Sequence, residues 1–448
     1  LRTDVKWHDG TKFTARDVVF SFFVYRDDIA SQVRNFFTTM SFAEAVDAYT
    51  VKVTLNGADG NWLLNPSSQL IFQRRQYTKF WEAQPEGQRT LNGFNWQKNA
   101  PLGTGPWTVG KRDPASVSFA RNATYWGGSP HFETLRLAAE PDPAKRLQAW
   151  RSGEVDVVWP LAPNDVAAAS DTAGRLYAVD AASVMFAAFN FANPARDHPD
   201  LLADLRIRQA LSLAVDRARY AKEVFGGFIH EDRAGTVAQP WANNADAKNP
   251  ARDLAKAKSL LGDAGWRDGN GDGLVENDAG SPLTLTLIVR DDARPELAAT
   301  LQSIVADLKE LGVTLDVQPL AADKFRDRWI TTHDFDLIAY AYGLYPGFTD
   351  FDLYGSAWDI RSNPQGWNPG GYANPKVDKL VRDILAATDG AAQRDSLMSL
   401  QRAVDDDLFG LWFGFPRDLV LVNENVLGFQ PNKLWQTWNT RSLWRATG

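Results

Sequence analysis

Three tyrosines mark the place where an apolar segment runs into a turn rich in glycine and proline. Tyr340, Tyr342 and Tyr345 end a run of apolar residues, and Pro346 and Gly347 follow. The run predicts a buried strand, and in open α/β sheets ligands bind just outside the carboxyl ends of strands. The tyrosines therefore form a candidate ligand site. The alternative is that they simply pack on the sheet.

A second aromatic and polar stretch lies a few residues further along the chain. Trp358, Trp367 and Asn368 are interspersed with glycines, which free the backbone. Indole rings can stack on a polar solute, and an amide can hydrogen-bond to it. Because the two stretches are close in sequence, we expect both to face one cleft. The alternative is an ordinary surface loop.

The segment 268–276 (DGNGDGLVE) resembles the first half of a calcium-binding loop. Asp268, Asn270 and Asp272 occupy alternate positions, and Gly273 stands at the sharp turn. The twelfth position, which should carry a bidentate Glu, is Ala279. The pattern leaves two interpretations open, a weak structural calcium site and a turn stabilised by its own Asp and Asn side chains.

The sequence contains no familiar motif for covalent or metal catalysis. It has no cysteine, and none of its 5 histidines stands at helical metal-binding spacing from another. Acidic residues are abundant, so a pair of catalytic carboxylates stays open, but no spacing selects two of them. The residues favour binding over chemistry. We expect no cofactor, with a structural calcium ion at 268–276 as the alternative.

Length and composition limit the class of protein. The chain has 448 residues, of which 44% are hydrophobic and 23% charged, so we expect two or three folded lobes. The net charge of −7 argues against a nucleic-acid partner, which requires a basic face. No apolar run reaches the roughly 20 residues of a membrane span.

The apolar pattern predicts alternating strands and helices. Leu283, Leu285, Leu287 and Val289 alternate as in a strand, 295–311 has a helical apolar stripe, and 313–317 predicts a second strand. This is a βαβ unit with a right-handed crossover. The spacing predicts further helices over 205–224 and 251–264. The fold class is therefore α/β.

The first residues predict a strand, a turn and a capped helix. Leu1, Val5 and Trp7 suit a strand with one buried face, and the Asp-Gly pair at 9–10 is typical of a tight turn. Thr14 stands three residues before Asp17, which is the spacing of a capping box. An apolar helical stripe follows.

The amino-acid sequence of several segments resembles that of the family 5 extracellular solute-binding proteins, the peptide and nickel receptors of ABC importers. The resemblance rests on the opening motif at 1–23 and on five further segments in the family's order. These are 103–107 (GTGPW), 121–126 (RNATYW), 204–217 (DLRIRQALSLAVDR), 255–266 (AKAKSLLGDAGW) and 371–380 (GYANPKVDKL).

The resemblance implies a bilobed clamp of the periplasmic-binding-protein type, with mixed sheets flanked by helices and an extra small domain. The small domain would be 1–100, the first lobe 101–188 plus 420–448, and the second lobe 189–419. A solute would be captured between the lobes and delivered to a membrane permease without chemistry. Phe189 and Asn190, near the inferred hinge, become further candidate ligand contacts.

One departure from the family pattern bears on the solute. Peptide-binding relatives place an Asp shortly after the strand that corresponds to 335–342, where it holds the ligand's amino group. Tyr345 stands there in this chain, and Asp350 and Asp352 lie further on. A peptide or similar polar solute is expected. An oligosaccharide, a nickel chelate and, in a different class, a hydrolase of peptides or glycans remain alternatives.

The remaining expectations concern location and assembly. The chain begins at Leu1 inside a family motif, so we expect its natural amino terminus, with any export signal or lipid anchor, to be missing. The resemblance implies a periplasmic or surface-attached protein that acts as a monomer with an ABC permease.

Overall fold

The computed structural model describes residues 1–96, 98–170, 174–235, 240–345, 347, 350–363, 366–432, 434 and 437–446. The chain forms two compact units. The first comprises Leu1–Val179 and Leu419–Gly448, and the second comprises Asp180–Asp418. The predicted boundary at 188/189 therefore lies about one strand too late, and 1–100 shares a unit with the segment after it.

The described part of the first unit contains five α-helices and several short strands. In chain order its elements are α1 (Ala15–Asp27), β1 (Met40–Ala45), β2 (Val51–Leu55), α2 (Leu64–Ser67), α3 (Arg74–Glu82), β3 (Trp107–Asp113), β4 (Ser116–Arg121), β5 (Thr134–Ala138), α4 (Pro143–Arg151), β6 (Val157–Val158), α5 (Val166–Ser170) and β7 (Gly174–Asp180). Strands β1 and β2 form an antiparallel hairpin, and β3, β4 and β5 form an antiparallel sheet.

The opening motif folds largely as its residues predict. The Asp17 carboxylate accepts a hydrogen bond from the Thr14 amide at 2.9 Å, as in a capping box, and one from the Arg74 amide at 3.0 Å. The predicted strand before the turn is reduced to a single bridge between Lys6 and Lys12. Gly10, with φ 82°, makes the turn between them.

The second unit is built on one mixed sheet. Its elements are β8 (Ser183–Phe189), α6 (Leu205–Ala214), α7 (Arg217–Glu223), β9 (Ile229–His230), α8 (Leu254–Asp263), β10 (Thr284–Arg290), α9 (Pro295–Leu311), β11 (Thr314–Leu320), α10 (Ala322–Arg326), β12 (Leu337–Gly343), α11 (Phe351–Tyr354), α12 (Pro375–Ala386), α13 (Gly390–Asp406) and β13 (Gly410–Asn423). The end of β13 belongs to the first unit, as do β14 (Val426–Leu427) and β15 (Trp444–Arg445).

The strand order in this unit is β11-β10-β12-β8-β13. Strand β10 is parallel to both β11 and β12, whereas β8 is antiparallel to β12 and to β13. The predicted βαβ unit is confirmed as β10, α9 and β11. Strand residues alternate between two buried clusters, one with α6, α8 and α9 and the other with α12 and α13.

The helix predicted over 205–224 is divided into α6 and α7. Val215 has an extended backbone with ψ 123°, and the Asp216 side chain accepts a hydrogen bond from the Arg219 amide at 3.0 Å. Asp216 thus begins a new helix as its N-cap. The apolar periodicity runs through the break, so periodicity alone predicted one helix.

Candidate functional site

Strand β12 holds two of the predicted site tyrosines on one face. Tyr340 and Tyr342 both lie on the side that packs against α12 and α13, and the Tyr340 ring contacts Phe186 edge-on at 4.9 Å. The Tyr342 hydroxyl lies 3.3 Å from a carboxylate oxygen of Asp352. The Tyr340 hydroxyl is buried and has no hydrogen-bond partner among the described residues.

Both hydroxyls are held in their neutral form. Burial raises the pKa of Tyr342 well above its usual value of about 10, and the Asp352 carboxylate raises it further. Burial likewise raises the pKa of Tyr340. A neutral phenol donates a hydrogen bond, so the end of β12 offers donors beside a carboxylate.

The acidic residues that follow β12 lie at the same end of the strand. Asp350 and Asp352 are only 5% and 4% exposed, and α11 carries Asp352. Tyr345, by contrast, is 44% exposed. Pro346, Phe348 and Thr349, which complete the predicted loop, lie outside the described residues. This end of β12 therefore combines an exposed ring with two inward-facing acids.

The two predicted tryptophans belong to the loop that covers α11. Trp358 packs edge-on against Phe351 with ring centroids 5.3 Å apart, and the Trp367 amide donates to the Asp352 carbonyl at 3.2 Å. The Trp367 ring is 39% exposed and lies 5.2 Å from the ring of Trp329. Trp329 precedes β12 in a π-helical turn and was not predicted.

Three predicted contacts occupy structural positions instead. Asn368 is fully buried and uses its amide to bind the backbone of Gly355 and Tyr372, while Asn190 donates to the carbonyls of His333 and Phe335.

Phe189, the third of these residues, is fully buried in the core. It pairs with Leu337 at the start of β12, whereas Tyr342 pairs with Val184 at the opposite end. At about 3.3 Å per residue, five residues separate these positions by about 17 Å. We therefore do not retain Phe189, Asn190 or Asn368 as ligand contacts.

A charged cluster at the start of the second unit was missed. His230 Nε2 and the Arg417 Nε lie 3.1 Å and 3.3 Å from the same carboxylate oxygen of Asp180. Strand β9 positions His230 by pairing it with Phe415 of β13. No local pattern could have revealed this cluster, since its members are about 50 and 190 residues apart in sequence.

The predicted calcium loop is stabilised by its own side chains. Asp268 accepts hydrogen bonds from the amides of Gly271 and Gly273, and Asn270 donates to Glu276 at 2.7 Å. Carboxylate oxygens of Asp268, Asp272 and Glu276 lie within 4.8 Å of one another at the surface. The Asp272 amide also donates to Asn270 Oδ1 at 2.7 Å, two residues earlier, which is the hydrogen bond of an Asx turn. The calcium site stays a prediction.

The sequence matches the family described as bacterial extracellular solute-binding proteins, family 5 Middle, over residues 1–361. The chain belongs to this family. The resemblance inferred from the sequence motifs is confirmed. Among the described residues, no helix is both long and apolar enough to cross a membrane.

Relatives of known structure support the fold. The oligopeptide-binding protein AppA of Bacillus subtilis is 23% identical over 457 residues, which cover 100% of this chain and 80% of AppA. Its structure with a nonapeptide matches with a TM-score of 0.79 at 21% identity, covering 100% of this chain and 86% of that one.

The crystal structure of NikZ from Campylobacter jejuni, in complex with Ni(L-His), matches with a TM-score of 0.83 at 23% identity. The match covers 99% of this chain and 86% of the NikZ chain. These likenesses confirm the predicted α/β fold of a family 5 binding protein, with mixed sheets flanked by helices.

Proposed function

We propose that this protein is the substrate-binding receptor of an ABC importer, and that it captures a peptide and delivers it unaltered to a membrane permease. The observation that carries the proposal is the family match over residues 1–361. Its place of action would be the periplasm or the cell surface. It would act as a monomer, without a nucleic-acid partner.

Relatives and local chemistry both favour a peptide. AppA of Bacillus subtilis is named an oligopeptide-binding protein, and a relative from Pseudomonas aeruginosa is named a probable di/tripeptide-binding protein. At the end of β12, Asp350 and Asp352 supply negative charge for a peptide's ammonium group, and the exposed Tyr345 ring supplies a surface for its side chains.

The exposed ring of Trp367 beside Trp329 favours a second candidate, an oligosaccharide. Indole faces bury apolar area of a ligand and leave its polar groups free to hydrogen-bond. Such a ligand would use the tryptophan pair in place of the acids.

The identity of the solute can be tested directly. Native mass spectrometry of the purified protein would reveal any co-purified small molecule, and calorimetry with a panel of di- to nonapeptides would measure affinity. We expect peptide binding, with the peptide recovered intact after prolonged incubation. Recovery of cleaved peptide would contradict the transport role and favour a hydrolase. Binding of oligosaccharides but not peptides would favour the second candidate.

A further inference from the structure

A separate cavity of about 250 Å³ lies in the second unit, beside β13. It is bordered by α6, α8, the segment 248–250 and the turn that joins α13 to β13, and it is open to solvent on one side. It shares no lining residue with the end of β12. Asp405, Trp412 and Ser212 are among its polar lining residues, and Leu213 and Leu260 contribute to its apolar wall. The volume is below the range of about 300–1,000 Å³ typical of drug-sized ligands, so it suits a smaller molecule.

Asp405 lines this cavity, and its carboxylate has no hydrogen-bond partner among the described residues. Both of its carboxylate oxygens are buried, and neither has a hydrogen-bond partner within the described part of the chain. It stands in the last turn of the 17-residue helix α13, where the helix dipole disfavours negative charge. Burial, which is the larger cause, and the charge of neighbouring Asp406 together raise the pKa of Asp405 to about 7.

Trp412 lines the same cavity and carries an unused donor. The residue is 1% exposed, and its indole Nε1 is buried without a partner among the residues described. The ring is held against Phe186 with centroids 4.7 Å apart. A buried acceptor and a buried donor thus line one cavity without satisfying each other, which is rare unless a third group lies between them.

The buried arginines next to this cavity do not neutralise Asp405. Arg217 donates from Nε to the Trp412 carbonyl at 3.0 Å and from a terminal nitrogen to Ser212 Oγ at 3.2 Å. Arg208 donates to the carbonyls of Asp407 and Leu408. Their donors satisfy backbone and hydroxyl oxygens, so the acid remains uncompensated.

Positive charge is found at the solvent-exposed lining instead. Lys248 and Lys256 are exposed residues that line the cavity, while Leu408, Ala234 and Pro250 extend its apolar wall. A ligand that suits this lining carries an ammonium group for Asp405, a carboxylate for the lysines and the indole N–H, and a short apolar chain.

We propose that this cavity binds a small zwitterion with an aliphatic side chain, that is, a free amino acid such as leucine. Its ammonium group would bind the Asp405 carboxylate, and its carboxylate would accept from Trp412 Nε1. The site is independent of the solute site proposed at the end of β12.

The test is calorimetry of the full chain with L-leucine. We expect one molecule to bind per chain, with Asp405→Asn weakening binding by about tenfold or more, because a charge-assisted hydrogen bond is lost. Asp406→Asn is the matched control, since its exposed carboxylate is next in sequence, and it should bind leucine like the parent. Tyr345→Ala should also bind leucine normally, which separates this site from the proposed peptide site.

Two further probes test the ligand class. Isovalerate lacks the ammonium group and isopentylamine lacks the carboxylate, so each should bind at least about tenfold more weakly than leucine. In ¹⁵N spectra, leucine should shift the one indole resonance that Trp412→Phe removes. Absence of leucine binding at millimolar concentration, equal binding by Asp405→Asn, or equal binding of isopentylamine would each overturn the proposal.

Discussion

Two buried aspartates of the second unit differ in what surrounds them. Asp336, at the start of β12, accepts hydrogen bonds from Arg196, from Asn193 Nδ2 at 2.9 Å and from the Thr286 amide at 2.7 Å. Asp405, at the end of α13, accepts none from the described residues. The residue type is the same, and both carboxylates are removed from solvent.

The difference distinguishes a structural group from one that is available to a ligand. A buried carboxylate costs free energy unless donors compensate it, and the donors around Asp336 also join β8, β10 and β12. At Asp405 the cost is not offset by the protein. A carboxylate in such a position is stabilised by a proton, by water or by a bound ligand. The stability of the fold should therefore respond at Asp405 to pH and to ligand binding.

The largest expected effect is at Asp336. Replacing Asp336 with Ala leaves the Thr286 amide without its acceptor and the Arg196 guanidinium without its carboxylate, and breaking a buried pair of this kind costs about 3–5 kcal/mol. We expect urea denaturation to show a loss of this size in the free energy of unfolding.

Asp292→Ala is the control for Asp336→Ala. Its ion pair with Arg290, at 2.6 Å, follows β10 directly but has a 66% exposed carboxylate, so no measurable change is expected. An equal loss in the free energy of unfolding in both variants would contradict the comparison. It would show that burial and hydrogen-bond partners do not determine how much an aspartate contributes to stability.

Asp405 should make the stability of the fold depend on pH. The folded-state pKa of about 7 lies above the unfolded value of about 3.9, so the folded state binds more protons between these values. Asp405 therefore stabilises the fold at low pH, and this contribution is lost as pH rises through about 7.

Chemical denaturation of parent and Asp405→Asn at pH 5 and pH 8 measures this effect. We expect the parent to lose about 2 kcal/mol relative to the variant between the two pH values. Asp406→Asn should keep the parent's loss of stability with rising pH, displaced to slightly lower pH because one neighbouring negative charge is removed. A constant difference between parent and Asp405→Asn would mean that Asp405 does not titrate in this range.

At the proposed solute site, the affected quantity should be affinity and not stability. Tyr345→Ala removes a 44% exposed ring at the end of β12, and loss of an aromatic contact of this kind costs about 1–2 kcal/mol of binding. Calorimetry should show peptide affinity about five- to thirtyfold weaker with an unchanged unfolding midpoint. Trp241→Ala, at a ring with 45% exposure elsewhere in the unit, should bind peptide like the parent.

The sequence predicted regular elements well because they depend on local patterns. The alternating leucines of β10 and the apolar stripe of α9, which ends at Gly312 with φ 88°, gave the βαβ unit correctly. The break at Asp216 was missed because the apolar periodicity continues through it. Asp is a favourable N-cap residue, but inside a continuous helical pattern this signal was given less weight than the periodicity.

Site residues were harder to predict because their partners are distant in sequence. Asn190 resembles a ligand contact in sequence, but its amide binds carbonyls 143 and 145 residues away. Asp405 is one of three successive aspartates at a helix end, and only packing shows which carboxylate turns inward. Tyr340 and Tyr342 were placed correctly on a strand, yet period-two alternation does not reveal which hydroxyl finds a partner.

The smallest expected effect compares two buried tyrosines. The Tyr220 hydroxyl donates to the Phe413 carbonyl at 2.6 Å, whereas the Tyr340 hydroxyl has no partner among the described residues. Tyr220→Phe should lower the free energy of unfolding by about 1 kcal/mol, because the buried carbonyl loses its donor. Tyr340→Phe should be neutral or slightly stabilising, because no hydrogen bond is lost. A loss of similar size in Tyr340→Phe, measured by urea denaturation without ligand, would show that ordered water satisfies this hydroxyl. Unpartnered groups on β12 would then be a poor guide to where the solute binds.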